Sequence, residues 1–581
     1  MIIEPIFNES GEVLNEYPRP QFKRSSYICL NGEWDYAITK TCDKPQNYDG
    51  KILVPYSPES DLSGVKRQLQ KDEFLHYERS FTFEDGFNKG RVFINFGAVD
   101  QVAKVYVNGY EVGQHEGGYL PFSFEITEFL NAGKNTVYLL VTDNAESDVY
   151  GRGKQSYNRG GIWYTATSGI WQTAWLESTP KEYLKKVKIT PFVKLSSVKF
   201  EFDKCGNAPI DVKIFDGDEI VYCANNILDN QLIATLSNLK LWEVDNPELY
   251  RVEIKCGEDN VESYFGMREF STVEVDGKKC FALNGKPIFH NGLLDQGYFH
   301  DGIYTPKSNA VYFNEIKNLK ELGFNMLRKH IKVEPYLWYY YCDVLGMLVW
   351  QDMINGGDKY STLQIVLCPF INLHLNDGNY KRRKRANPLS REFYMKEAKG
   401  LIDTLYNSVS LCLWTPFNEA WGQFDALRIW QELSAYDTTR HFDHASGWQD
   451  MGGGDLCSKH IYFRKLKMKN DGKRILALTE FGGYSHSVEG HVFTDKKFGY
   501  KSFKDSLKLE NAYENLFKNE VIPLIKNQLL CATVYTQVSD VEDEVNGLYT
   551  YDRILKFSPE KIKEINGAVY KAFAEKINEN K

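Results

Sequence analysis

Basic charge is in short supply. The chain carries 70 Lys and Arg against 78 Asp and Glu in 581 residues, a formal net charge of −8, with a pI near 5.9. A mildly acidic chain attracts polyanions poorly, so nucleic acid is not an expected partner. Long apolar runs are missing too. None approaches the ~18 residues that span a bilayer, so no membrane partner is expected. Met1-Ile2-Ile3-Glu4-Pro5 lacks the basic start and apolar stretch of a secretion signal. The 11 cysteines are odd in number, scattered, and form no C-x-x-C pair. Free thiols and a cytoplasmic location are the expectation. There is no H-E-x-x-H metal motif, no repeat of solenoid period and no long low-complexity stretch.

What is abundant is aromatic surface: 14% of residues, with 37 Tyr and 11 Trp. Aromatic faces cover the C–H faces of pyranose rings, and they equally fill all-β cores. The length exceeds one domain, and typical domain sizes give about three or four. Residues 1–180 read as short strands with regular turns, a jelly-roll sandwich. Arg91–Gly97, Lys104–Val107, Tyr110–Gly113, Val137–Val141 and Trp171–Leu176 are strand candidates, with Asn108-Gly109 as a hairpin turn. Residues 181–272 keep the rhythm and fit an immunoglobulin-like sandwich. From 273 to 581 strands alternate with helical spacing, as in a (β/α)8 TIM barrel. Lys286–His290, Phe324–Leu327 and Met347–Trp350 are strand candidates there. Val311–Leu322, Glu334–Leu345 and Glu397–Tyr406 are helix candidates. The basic run Lys381-Arg382-Arg383-Lys384-Arg385 reads as a solvated loop, with lining of an acceptor site as the lesser reading.

Two apolar runs end near carboxylates. Leu411–Trp414 is followed by Asn418-Glu419, and Ile475–Thr479 by Glu480 and then Gly482-Gly483. In a barrel both fall at the C-terminal rim, where active sites form. Cleaving a glycosidic bond with retention needs such a pair, roughly 5–5.5 Å apart. One must hold a proton for the leaving oxygen while the other, ionised, attacks the anomeric carbon. Glu419 is the candidate acid/base and Glu480 the candidate nucleophile. Asn418 can bond a sugar hydroxyl, and Trp414 and Trp421 offer stacking surfaces. A lone strand-end Glu is more often a rim residue capping a helix.

At these residues the chain resembles glycoside hydrolase family 2, the β-galactosidases, β-glucuronidases and β-mannosidases. Asn418-Glu419 looks like that family's acid/base signature, and Thr479-Glu480-Phe481-Gly482 like its nucleophile strand. Leu30-Asn31-Gly32-Glu33-Trp34, Tyr106-Val107-Asn108-Gly109 and Ser168-Gly169-Ile170-Trp171-Gln172 resemble its jelly roll. Asn246-Pro247, Leu249-Tyr250 and Gly266-Met267-Arg268 resemble its sandwich. The resemblance covers about residues 20–560. It implies that Arg328, in Asn325-Met326-Leu327-Arg328, holds the nucleophile carboxylate, and that Tyr462, in His460-Ile461-Tyr462, bonds it. His460 and His330 are implied near the donor sugar, and Asp295 or Asp352 on sugar hydroxyls. Each also has a plain structural reading.

Two departures bear on the sugar. The loop 159–165, where well-known β-galactosidases place a carboxylate, holds no Asp or Glu. Trp163 is the candidate wall there, and Tyr535 the candidate ring beneath the sugar on the eighth strand. The Asn-x-Lys clamp of β-glucuronidases is missing between Ser539 and Asp552, where Asp540, Glu542, Asp543 and Glu544 stand instead. The expectation is a retaining exo-β-glycosidase, β-galactosidase-like, acting on an oligosaccharide or glycoside. It needs no cofactor, no metal site is assigned, and whether a metal ion assists, as in some members of the family, is left open, as is a homo-oligomer. A β-glucuronidase or other β-hexuronidase is the alternative, with Arg159 or Lys307 as the cation. A transglycosidase shares the same residues, and an inactive carbohydrate-binding protein is the reading from another class.

Overall fold

The structure, a computed structural model, describes residues 13–359 and 376–579. The pentapeptide weighed above for secretion lies outside the described residues. No helix among those described is long and apolar enough to cross a membrane. The ten cysteines among them are all free.

The first unit is a sandwich of a six-stranded and a four-stranded antiparallel sheet. Its strands alternate as a half-buried sheet must: in Val102–Val107, Ala103, Val105 and Val107 face inward. Asn108 and Gly109, both at positive φ, turn that strand back onto Tyr110–Glu116. This is the hairpin their sequence predicts. Trp34, Ile94, Val105, Leu139 and Leu176 are among the residues of the sealed core. The expected strand Trp171–Leu176 is two pieces, Gly169–Ile170 and Ala174–Thr179. Trp171 leaves the sheet because its ring serves another partner: it packs 5.1 Å from the ring of Tyr304, in the barrel unit, and its indole donates to the Gly118 carbonyl.

A three-stranded and a four-stranded sheet form the second sandwich, closed over Phe200, Val212, Ile254 and Phe265. The third unit is a near-closed barrel of eight parallel strands. These are β1 (His290–Asp295), β2 (Met326–Lys329), β3 (Leu348–Asp352), β4 (Leu411–Thr415), β5 (His441–Phe442), β6 (Leu456–Ile461), β7 (Ile475–Gly482) and β8 (Ala532–Thr536), in the order β5-β4-β3-β2-β1-β8-β7-β6. The expected first strand, Lys286–His290, is corrected. Pro287 has no amide for a central ladder, so Lys286–Pro287 only closes a hairpin on Lys278–Leu283, and β1 starts at His290. The helix before β4 starts earlier than expected, at Pro388. Asn387 caps it through the Leu389 amide, and proline suits the first helical position.

Asp343 ties the second and third units together. It is fully buried near the end of the helix Tyr336–Leu345. Its carboxylate accepts from the Ser410 amide and hydroxyl, at 2.7 and 2.6 Å, and from Tyr264 at 2.8 Å. Its carbonyl accepts from the Trp242 indole. Replacing Asp343 with Ala leaves three buried donors unsatisfied, an expected loss of about 2–4 kcal/mol. A denaturant midpoint equal to the parent's would contradict this linking role.

Candidate active site

Arg328, on β2, sits at the centre of the rim and is wholly buried. Its Nε and one terminal nitrogen donate to the two oxygens of Asp352 on β3, at 3.0 and 3.1 Å. The same nitrogen donates to Asn418 Oδ1 at 2.8 Å. The other donates to the Thr479 carbonyl and to Glu480 Oε1, at 3.0 and 3.2 Å. The second oxygen of Glu480 accepts from the Tyr462 hydroxyl. Tyr462 is held by Tyr500, whose ring stacks on it at 3.8 Å. That stack depends on Gly483, at positive φ, where a Cβ would strike the Tyr500 ring.

Glu419 follows β4 in a strained turn: Glu419 and Ala420 both have left-handed backbone, at φ 51 and 62. Such strain costs on the order of 1–3 kcal/mol per residue and gathers where geometry is functional. The Glu419 amide donates to the Ser446 carbonyl at 2.9 Å, which pins the turn. His460 Nδ1 lies 2.8 Å from Glu419 Oε1 and 3.5 Å from Glu480 Oε2. Its Nε2 lies 3.0 Å from the Ser446 hydroxyl. One oxygen of each carboxylate and one His460 nitrogen all fall within 4.8 Å of one another. That spacing suits a covalent, retaining mechanism and leaves too little room for the water of an inverting one. Two carboxylates and an imidazole are also a donor set that a divalent cation accepts.

The two carboxyls have unlike partners. At an effective dielectric of about 20, charges this close repel by about 3 kcal/mol, roughly two pKa units, so one of the pair keeps a proton. Burial pushes the Glu419 carboxyl up to about 7, against the pull of Lys154 and Arg328. Burial also raises Glu480, while His460 and Arg328 draw it back down. Arg328 and Tyr462 both donate to Glu480, whereas among the described residues only the His460 side chain reaches the Glu419 carboxyl, so the proton rests on Glu419. Burial lowers His460 to about 4 and His330 to about 3, so both rings are neutral at pH 7.

The structure thus gathers Glu419, Glu480, Asn418, Arg328, His460 and Tyr462 at one place. Asp352 joins them through Arg328, and His330 through its 2.8 Å contact with Asp352. Trp163 stacks on Trp421 at 5.2 Å beside Glu419. Three expectations are corrected. Asp295 faces away, into a buried cluster with Lys329, at 2.6 Å, and Glu334, because side chains alternate across the barrel wall. Tyr535 likewise points outward, its ring packed on Phe481, Tyr513 and Phe517. Thr536 takes the inner position instead, with its hydroxyl 3.2 Å from that of Tyr462. Trp414 offers no stacking face, being buried with its indole bonded to Asp437.

The basic run is not simply solvated. Arg385 is buried and donates to the Gly422 carbonyl, which fastens the turn carrying Glu419. Arg383 is buried against Gln449. Ser446, Tyr500 and Lys154 were not foreseen. Lys154 comes from the jelly roll, with its Nζ 5.7 Å from the Trp421 ring centre. Nothing short of the three-dimensional arrangement marks them. The acidic stretch after β8 is a fastener: Glu544 accepts from Tyr164, Glu542 from the Thr165 amide, and Asp543 from Arg159.

Comparison with known proteins bears on the fold that carries this site. A family model for the sugar binding domain of glycosyl hydrolases family 2 matches residues 67–169, and a second model, glycosyl hydrolases family 2, matches residues 183–268. A putative beta-glucuronidase of Formosa agariphila is 29% identical over 301 residues, 48% of this chain and 35% of its own length. A beta-galactosidase of Thermoanaerobacterium thermosulfurigenes is 31% identical over 287 residues, 45% of this chain and 38% of its own. The chain therefore spans well under half the length of these curated relatives. A solved beta-D-glucuronidase of Dictyoglomus thermophilum shares the fold, with a TM-score of 0.74 and 20% identity over 95% of this chain and 98% of that one. The matched jelly roll and sandwich, with the barrel behind them, make up the three-unit fold shared with that solved structure. Both models that match the chain are models of glycosyl hydrolases family 2, the family its motifs resemble.

With Glu419 as the proton donor, its carboxyl at about 7 sets the expected alkaline limb of activity. Glu419 must be protonated to donate, so kcat/KM is expected to fall as pH rises through about 7. It falls again at lower pH, where Glu480 takes up a proton. A pH–rate profile flat up to pH 9 would contradict the assignment.

Proposed function

We propose that the chain is a retaining exo-β-glycosidase that removes a terminal β-linked sugar by double displacement. A Glu480 oxygen attacks the anomeric carbon. The bond from that carbon to the aglycone oxygen breaks, and the leaving oxygen takes the Glu419 proton. Glu419, now a carboxylate, removes a proton from water. The water oxygen attacks the same carbon and the bond to Glu480 breaks. Glu419 is then protonated again, ready for the next cycle. Arg328 and Tyr462 steady the Glu480 charge before attack and as it leaves. The Trp163–Trp421 pair supplies an apolar wall for the sugar.

The observation that carries this reading is the approach of Glu419 and Glu480 to within 4.8 Å with opposite hydrogen-bond partners. A carbohydrate-binding protein without activity needs neither the spacing nor the strained Glu419 turn. The galactoside expectation rested on a missing clamp. The relatives' names divide between beta-galactosidase and beta-glucuronidase, so the proposal covers a hexose or a hexuronic acid.

Nitrophenyl β-D-galactoside, β-D-glucuronide and β-D-mannoside test it, with release expected from at least one. Glu480→Gln is expected to abolish turnover with or without azide. Glu419→Ala is expected to keep some activity on aryl glycosides with good leaving groups. Azide should accelerate that variant and yield the β-glycosyl azide. Parent-like kinetics in both variants would remove the mechanism.

A further inference from the structure

Lys154 is a cation at the site that the proposed chemistry does not use. It is 8% exposed, nearly enclosed yet reachable. Its ammonium lies 5.6 Å from the centre of the Tyr164 ring and 5.7 Å from that of Trp421. It makes no ion pair or side-chain hydrogen bond among the described residues. Its backbone is fixed, for its carbonyl accepts from the Tyr164 amide at 3.0 Å, and the next residues, Gln155–Ser156, pair with Tyr164–Thr165. Its charge bears on Glu419, Glu480, His460 and His330 alike. Trp421, the ring it lies beside, follows Glu419 by two residues and stacks on Trp163.

An ammonium held this deep with no direct ion-pair partner among the described residues is costly, and an anion that pairs with it relieves that cost. The other cations nearby are committed. All five N–H groups of Arg328 have acceptors: two on Asp352 and one each on Asn418, Thr479 and Glu480. Arg159 lies 3.0 Å from Asp543 and 3.7 Å from Glu542. Lys307 is exposed. Three unspent ammonium protons beside the sugar wall can therefore receive a carboxylate.

We propose that Lys154 binds the carboxylate of the donor sugar and so makes the enzyme selective for terminal β-linked hexuronides over neutral hexosides. This rests on the exo-glycosidase reading above. Of the acidic residues after β8, Glu542 and Asp543 face the Arg159 cation, and Glu544 is tied to Tyr164 and Asn546.

The test compares nitrophenyl β-D-glucuronide and β-D-galacturonide with β-D-galactoside on the parent, Lys154→Met and Lys154→Arg. A hexuronide is expected to be the parent's best substrate. Lys154→Met should lower kcat/KM on it about 100-fold more than on the galactoside, and Lys154→Arg should restore part of the loss. An equal fall on both substrates, seen as one common shift of the pH profile, would reduce Lys154 to tuning Glu419 and overturn the proposal. So would a parent that prefers the galactoside. Calorimetry on Glu480→Gln separates the two readings. D-Glucuronate or D-galacturonate should bind more tightly than D-galactose, and Lys154→Met should remove the difference. Lysine-dependent uronate binding without any turnover in the parent would sink the catalytic reading and leave the Lys154 assignment standing. Equal binding of acid and neutral sugars would sink the Lys154 assignment alone.

Discussion

One buried guanidinium organises the rim. Burying a charge costs several kcal/mol unless each of its hydrogens finds an acceptor. Arg328 meets that demand by drawing on four strands or their extensions: Asp352 from β3, Asn418 after β4, and Thr479 and Glu480 from β7, with Arg328 itself on β2. Satisfying this charge therefore places Glu480, the proposed nucleophile, orients the amide beside Glu419, the proposed acid/base, and aligns β2 with β3. The same bonds keep Glu480 rich in donors while the Glu419 carboxyl has one partner among the described residues and a proton. Geometry and protonation share one cause.

The other units complete what the barrel begins. The jelly roll sends Lys154 and Trp163 over the rim. Acidic residues after β8 hold that loop through Tyr164, the Thr165 amide and Arg159. Behind the barrel, Asp343 joins the sandwich to the base of β4. The buried arginine of the basic run, Arg385, secures the Glu419 turn from the far side. A rim assembled from separate stretches of chain positions its charges to fractions of an ångström only if each stretch is tied down in this way.

The meeting of Glu419 and Glu480 was legible because strand-end carboxylates after apolar runs are local patterns, and a barrel converts them into neighbours. Hairpin and sandwich were legible from Asn108-Gly109 and from alternating burial. Failures came where parity or long-range contact decides. Tyr535 and Thr536 differ by one step along β8, and one step exchanges the inside of a barrel for its outside. Asp295 was drawn outward by Lys329, whose own outward direction follows from Arg328 pointing in. Lys154 belongs to no periodic pattern. Its surroundings, Tyr164 and Trp421, lie 10 and 267 residues away in sequence. The acidic stretch and the basic run were read by charge alone, which is blind to partners that fold in from elsewhere.

The central claim is that Glu480 becomes covalently bonded to the sugar. Incubation with a 2-deoxy-2-fluoro glycosyl fluoride of the preferred sugar slows the second displacement and traps that intermediate. Digestion and peptide mass analysis then locate the added mass. The account predicts it on the peptide containing Glu480 and nowhere else. Added mass on the Glu419 peptide, or none after inactivation, would contradict it.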